Sequence, residues 1–487
     1  MGSAGGTAGV VFADAALSVT DAVSASVSAS DGASMASGLP SEPPQPGAVA
    51  SVQLPPIVHS SLGNGIALNV VEHRALPVVH VQVLLRAAGA SHDPAGKMGL
   101  ANFTAELLRE GAGALGSAEI AAQIDASGSR LSTVTEDDAV KITLDALPER
   151  LGAMLDLIGL LLTQPRFEPS ELERLRRREL DRLQQESTEP SWLSQRPFYR
   201  AIYGEGHPYG RFDTTPAVIR EITREDVVAF HRAHYVGGSI SIVAVGAVDP
   251  REFALQASHA LDRVPAGTAA DPTFSPVPQR TGRQVFLVDR PGSQQSYVRV
   301  GQAGPARRDT IWPALAVSNQ ILGAAPSSRL FVDLRERRSL TYGVYSRVSS
   351  AAHEGIVSAS GATRTQTTGE FVTALLAHLD RMATEPVGEQ ELSSARQVLI
   401  NRFVTSVETA ANITAKIAEL RMFGLPDDWY EDYRSQLRSI DVTQVTATSQ
   451  TFFATARAVI VVVGDARRVL PQLRSVSSSV RVLRAGE

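Results

Sequence analysis

Two stretches decide how the chain is organised: Ser239–Ala247, SISIVAVGA, and Val459–Gly464, VIVVVG. Each is a short continuous run of apolar residues rich in Val and Ile, the pattern of a buried strand. Val243-Ala244-Val245-Gly246 precedes Val461-Val462-Val463-Gly464 by 218 residues. Thr163-Gln164-Pro165 precedes Thr384-Glu385-Pro386 by 221, and Glu171-Leu172 precedes Glu391-Leu392 by 220. Three landmarks at nearly one offset indicate a duplicated domain. Two copies are too few for a solenoid, and about 200 residues per copy suffice for a core of its own.

Outward from these landmarks, each copy mixes strands and helices. IALNVVEH from Ile66 and PVVHVQVLLRA from Pro77 read as strands. Gly99–Glu110 reads as a helix, with Leu100, Phe103, Leu107 and Leu108 on one face. Ser117–Ala126 is a short second helix, and Ser129–Leu147 reads as strand, polar turn and strand. Leu151–Leu162 is an apolar helix. Ser170–Gln185 is a charged one, with Ser170 and Glu173 as a capping signal. Val264–Arg283, VPAGTAADPTFSPVPQRTGR, reads as a linker. After it the order restarts, with strands from Gln284, a helix from Gly388 and a terminal strand at Val459.

The expected organisation is a flexible Ala/Ser/Gly/Pro-rich segment over residues 1–56, a first domain over 57–263, a linker over 264–283 and a second domain over 284–487. No Lys or Arg precedes Arg74, so Met1 opens no intact secretory signal. The segment resembles a flexible mature N-terminus.

Composition narrows the function. The 487 residues include no cysteine, which excludes disulfides, thiolate metal sites and cysteine nucleophiles. The net charge of −5 gives no reason to expect nucleic acid or an anionic membrane surface as partner. No run of 18 apolar residues occurs, so no membrane span is expected.

The segment GLANFTAELL from Gly99 resembles the active-site helix of the pitrilysin/insulinase/mitochondrial processing peptidase family, where the pattern is G-L-A-H-F-x-E-H. In that pattern two His four residues apart share a helix face and bind zinc. The Glu between them is the base for a zinc-bound water. By this resemblance Asn102 stands at the first His, Ala105 at the Glu and Glu106 at the second His. Glu179, 73 residues after Glu106, stands at the third ligand. An amide, a methyl and two carboxylates make no site of this kind, so no metal is expected in this chain.

The resemblance extends through GHPYGR at Gly206, ITREDVVAFHRAHY at Ile222 and DRPGSQQSYVRVG at Asp289, and covers roughly residues 58 to 475. It implies an α+β fold of two homologous halves, each a sheet with helices packed on one side, arranged as a clamshell. Ser327–Ser346, SSRLFVDLRERRSLTYGVYS, resembles the second-half segment that holds the family's substrate-binding Arg and Tyr, here Arg335 and Tyr342. A guanidinium offers fixed donors to a peptide carbonyl, and a phenol can stabilise an oxyanion.

Loss at one place and retention at the other imply a division of labour. The chain is expected to be a non-catalytic, substrate-binding subunit of a heteromeric zinc metalloendopeptidase. It would donate Arg335 and Tyr342 to a homologous partner that bears H-x-x-E-H and the zinc. Peptide would be held as an added strand near Leu131–Glu136, and the periplasm is the expected compartment. The alternative is a structural or peptide-binding assembly subunit with no role in proteolysis.

Other motifs carry less. Gly111, Gly113 and Gly116 spell G-x-G-x-x-G but follow a helix rather than a strand, which disqualifies a dinucleotide site. His231 and His234 form H-x-x-H and read as ordinary helix histidines. Glu136, Asp137 and Asp138 read as a solvated hairpin tip. Ser327 and Ser328 lack a nucleophile frame.

Overall fold

A computed structural model of the chain describes residues 53–211 and 214–485. The segment expected over residues 1–56 falls almost wholly outside them. The first half contains strands β1 (Val58–Ser61), β2 (Ala67–Glu72), β3 (Val79–Leu85), β4 (Gly111–Ala112), β5 (Leu115–Gly116), β6 (Arg130–Thr135), β7 (Val140–Ala146) and β8 (Ile240–Gly246). Its helices are α1 (Leu100–Leu107), α2 (Ser117–Ala126), α3 (Pro148–Thr163), α4 (Pro169–Glu186), α5 (Pro190–Leu193), α6 (Gln195–Tyr203), α7 (Pro216–Glu221), α8 (Arg224–His234) and α9 (Pro250–Leu261). The second half contains β9 (Gln284–Asp289), β10 (Gln295–Ala303), β11 (Thr341–Ser349), β12 (Ile356–Arg364), β13 (Val459–Gly464) and β14 (Val480–Arg484). Its helices are α10 (Trp312–Leu322), α11 (Thr368–Thr384), α12 (Glu389–Thr405), α13 (Ala410–Phe423), α14 (Trp429–Ser439), α15 (Val442–Phe452) and α16 (Ala466–Leu473).

The duplication is visible in the sheets. The first has order β1-β2-β8-β3-β7-β6, and the second, from its far end, β14-β9-β13-β10-β12-β11. β2 runs parallel to β8 as β9 does to β13, and the remaining internal pairs are antiparallel in both. The repeat fails at one edge. β1 comes from the start of the chain and lies antiparallel to β2, whereas β14 comes from the end and lies parallel to β9. Val459–Gly464 is therefore not the terminal strand, because β14 follows it.

Most sequence expectations land on these elements. One cap does not: α4 begins at Pro169 behind Glu168, with no side-chain cap, so Ser170 lies inside the helix. Proline at the first helical position needs no hydrogen-bonded N–H, which lets the helix start there.

Each sheet packs its own helices on one face. Ile242 and Ala244 of β8, with Val81 of β3 and Ile142 of β7, join a core that includes α1, α3, α4 and α9. The opposite faces are covered by exchange. Helix α13 of the second half packs on β8 and β3, and α5 and α6 of the first half pack on β13 and β10. Phe198 and Ile202 of α6 meet Val459, Val461 and Val463 of β13. A Cβ on Gly301 of β10 would stand 2.9 Å from the Phe198 ring tip, so glycine there admits the helix. This exchange explains why every residue of β8 and β13 is buried. A strand covered on both faces has no polar side.

Polar contacts fasten the exchange. Arg421 Nε of α13 donates to Asn69 Oδ1 of β2 at 2.7 Å, and Asn69 Nδ2 donates to Ser241 Oγ at 3.1 Å. In the other direction, Tyr203 Oη donates to the Glu354 carbonyl at 2.7 Å. Asp138, expected at a solvated tip, instead accepts from the Tyr209 hydroxyl and from the Ala352 amide at 2.9 Å. Burial raises the Asp138 carboxyl pKa, against the pull of these hydrogen bonds.

Candidate functional site

Helix α1 is anchored at its start by Asp93, whose carboxylate accepts the Gly99 and Ala101 amides at 2.6 and 2.7 Å. Its buried face is Leu100, Ala101, Phe103, Thr104, Ala105 and Leu107, which packs it into the core. It contacts α4 and the edge strand β6. Ala105 is 1% exposed and belongs to that core, while Asn102 and Glu106 are half-buried.

The two carboxylates are claimed by arginines. Arg178 of α4 donates to Glu106 at 3.4 Å. Arg182 grips Glu179 through Nε at 2.9 Å and Nη2 at 2.7 Å, and reaches Glu186 at 2.7 Å. Glu179 is only 7% exposed, so it is no solvated helix-face carboxylate. Burial pushes the Glu106 carboxyl up; Arg178 pulls it down and Glu179 pushes it further up.

This donor set does not fit zinc. Both acids are already paired with guanidinium, Asn102, at the position that resembles the first ligand, offers an amide, and no imidazole is present. Among the described residues no group of three or more His, Asp or Glu gathers as a metal ion requires. His231 and His234 diverge: His231 Nε2 meets the Leu162 carbonyl at 3.0 Å, and the His234 ring lies tilted against Phe230 with centroids 4.2 Å apart.

Arg335 and Tyr342 are brought together. Arg335 lies in a π-helical segment, Phe331–Arg337, and Tyr342 is the second residue of β11. The guanidinium sits 4.9 Å from the Tyr342 ring centre and 4.5 Å from that of Phe331. The turn between them is tight, with Ser339 in the left-handed region at φ 52°. A β-bulge between Thr341 and Val344 breaks the pairing with β12 and turns Tyr342 outward. The phenol is 88% exposed. Thr341 Oγ1 fixes the bulge by donating to the Ala362 carbonyl at 2.6 Å and accepting the Gly343 amide at 3.1 Å.

The π-helical segment is itself pinned. Asp333 accepts from His378 Nε2 at 2.7 Å and Arg338 Nε at 3.0 Å. Arg381 donates to His378 Nδ1 at 2.8 Å, which leaves the histidine neutral with its proton on Nε2. Sequence reading missed this support, because Asp333 and His378 are 45 residues apart and share no motif.

Residues 71–206 match the family model described as insulinase (peptidase family M16), and residues 221–399 match that of the peptidase M16 inactive domain. The chain belongs to the M16 peptidase family, and its first half lacks the residues with which that family binds zinc. An uncharacterized zinc protease of Streptomyces coelicolor is 24% identical over 363 residues, 72% of this chain and 78% of its own. A non-peptidase homolog of Helicobacter pylori, YmxG, is 21% identical over 377 residues, 77% of this chain and 86% of its own. Among solved structures, a peptidase M16 inactive domain from Pseudomonas fluorescens superposes with a TM-score of 0.76 at 24% identity, covering 84% of this chain and 98% of that one. A Helicobacter pylori protease superposes at 0.77 with 18% identity, over 84% and 100%.

Proposed function

We propose that this chain is the peptide-holding, non-catalytic subunit of a two-subunit zinc endopeptidase. Its partner would be a homologous chain with the H-x-x-E-H helix and the zinc. The observation that carries this reading is a contrast within one molecule. Glu106 and Glu179 are paired with Arg178 and Arg182, while Tyr342 and the half-buried Arg335 are paired with each other on a pinned segment, with the Tyr342 ring presented to solvent. A decaying enzyme would have no reason to keep the second arrangement. The guanidinium would bind a peptide carbonyl, and the phenol would stabilise charge that develops on it during attack in the partner's site. Edge strand β6, beside α1, offers unpaired main-chain groups to an extended peptide.

The test is reconstitution with a zinc-bearing partner. The lone chain is expected to cleave nothing and the pair to cleave peptides. Arg335→Ala with Tyr342→Ala should lower kcat/KM by about 10²-fold or more, with the complex intact on size exclusion. Chelator-sensitive cleavage by the lone chain, or full activity of the double variant, would overturn the reading. The YmxG homolog supports a second reading, an assembly subunit without a part in proteolysis, and failure to find any zinc-bearing partner would favour it. We place the pair in the periplasm, to be checked by cell fractionation. Among the described residues no helix is long and apolar enough to cross a membrane.

A further inference from the structure

Tyr297, Arg299 and Gly301 of β10 stand opposite Val463, Val461 and Val459, on the face that α6 covers. The same face continues through Ser358, Ser360 and Ala362 to Arg364 on β12, and through Tyr345 and Arg347 on edge strand β11. Helix α6 packs over β13 and β10, and beyond it the face opens. Tyr345, Arg347 and Arg364 are exposed, and the small side chains of Ser358 and Ser360 form a low floor between them. Phe331, the ring under Arg335, lies 5.7 Å from Tyr345, so the strip is continuous with the Arg335–Tyr342 pair.

Its charge is uncompensated. Among the described residues no carboxylate pairs with Arg335, Arg347 or Arg364; nearby ion pairs join Arg338 to Asp333 and Arg329 to Glu391. On the corresponding face of the first sheet the basic side chains have acidic neighbours: Lys141 pairs with Glu136, and His80 is hydrogen-bonded to Asp145. The whole chain has net charge −5, so three guanidiniums without a carboxylate partner on one strip run against the background.

We propose that this strip binds acidic segments of the peptide. Guanidinium forks match carboxylates in geometry as well as charge, and Ser358 and Ser360 can serve main-chain groups between them. The inference rests on the peptide-holding role above and names the class of peptide held.

The test uses the full chain alone and reads binding, not cleavage, so it stands or falls separately from the two-subunit reading. Labelled peptides of about a dozen residues would differ only in bearing Glu, Gln or Lys at the same positions, with affinity read by fluorescence anisotropy. The Glu peptide should bind about ten-fold more tightly than the Gln peptide, and the difference should shrink at about 0.5 M salt, where screening is strong. Arg347→Ser with Arg364→Ser should abolish the preference; the exposure of both side chains leaves the fold unchanged. Arg474→Ser, at an exposed site on another element, should preserve it. Equal binding of the Glu and Gln peptides, preference for Lys, or a preference that survives the double substitution would overturn the proposal. So would the absence of binding by all three peptides up to about 1 mM.

Discussion

Single residues show most directly where this chain departs from the zinc-binding pattern its helix resembles. Asn102, Ala105 and Glu106 stand out in the sequence because the helix resembles a motif that has ligands at those positions. The grip of Arg178 and Arg182 does not, because side chains on one charged helix give no sign of which acids they will meet. Asp138 illustrates the same limit. A run of three acids in a turn looks solvated, yet its partners Tyr209 and Ala352 are 71 and 214 residues away. The support under Arg335 yields a prediction at this scale. Burial alone would raise the Asp333 carboxyl, but the hydrogen bonds from His378 and Arg338 outweigh it and hold the pKa below the usual carboxylate range. A folded-state value below the unfolded one means stability that is present above about pH 4 and lost as pH falls through the folded value. Asp333→Asn should therefore cost about 1–3 kcal/mol at neutral pH. Measured by urea unfolding across pH, its difference from wild type should narrow below about pH 4.

Among elements, periodicity and apolar runs reveal strands and helices, and two near-identical strands reveal the duplication. The short edges β1 and β14 leave no such mark, since four or five residues at a sheet margin carry little pattern. The destination of α6 and α13 was equally hidden. An amphipathic helix declares that it has a buried face, but not which sheet will bury it. Phe198 tests the destination. It is fully buried against strands of the other half, and Gly301 provides the space for its ring. Phe198→Ala should destabilise the protein by about 3–5 kcal/mol. Leu255→Ala, at a side chain 73% exposed, should change stability by less than about 0.5 kcal/mol. Chemical denaturation of both variants checks the contrast.

At the scale of the molecule, the halves are repeats in topology but not independent in packing. Residues 264–283 contain no helix or strand, yet Arg280 donates to the Ala201 and Ile202 carbonyls and Phe274 stacks on His353 at 3.6 Å. The exchanged helices are expected to hold the halves together without covalent continuity through this stretch. A protease site inserted near Ala269–Ala270 and cleaved in the folded protein should leave both fragments co-eluting on size exclusion. They should separate only in denaturant. Fragments that part in native buffer would show that the exchanged helices contribute little.

The exchange also sets a timetable for synthesis. Val243 and Val245 of β8 leave the ribosome roughly 180 residues before the helix that covers them is complete, a delay on the order of ten seconds or more at usual elongation rates. Throughout that interval the nascent first half presents an apolar sheet face to its surroundings. The reciprocal face, on β13, appears only after α6 is already made. The newborn chain is thus vulnerable on one side only, and a cell that makes it has reason to shield its first half, not its second.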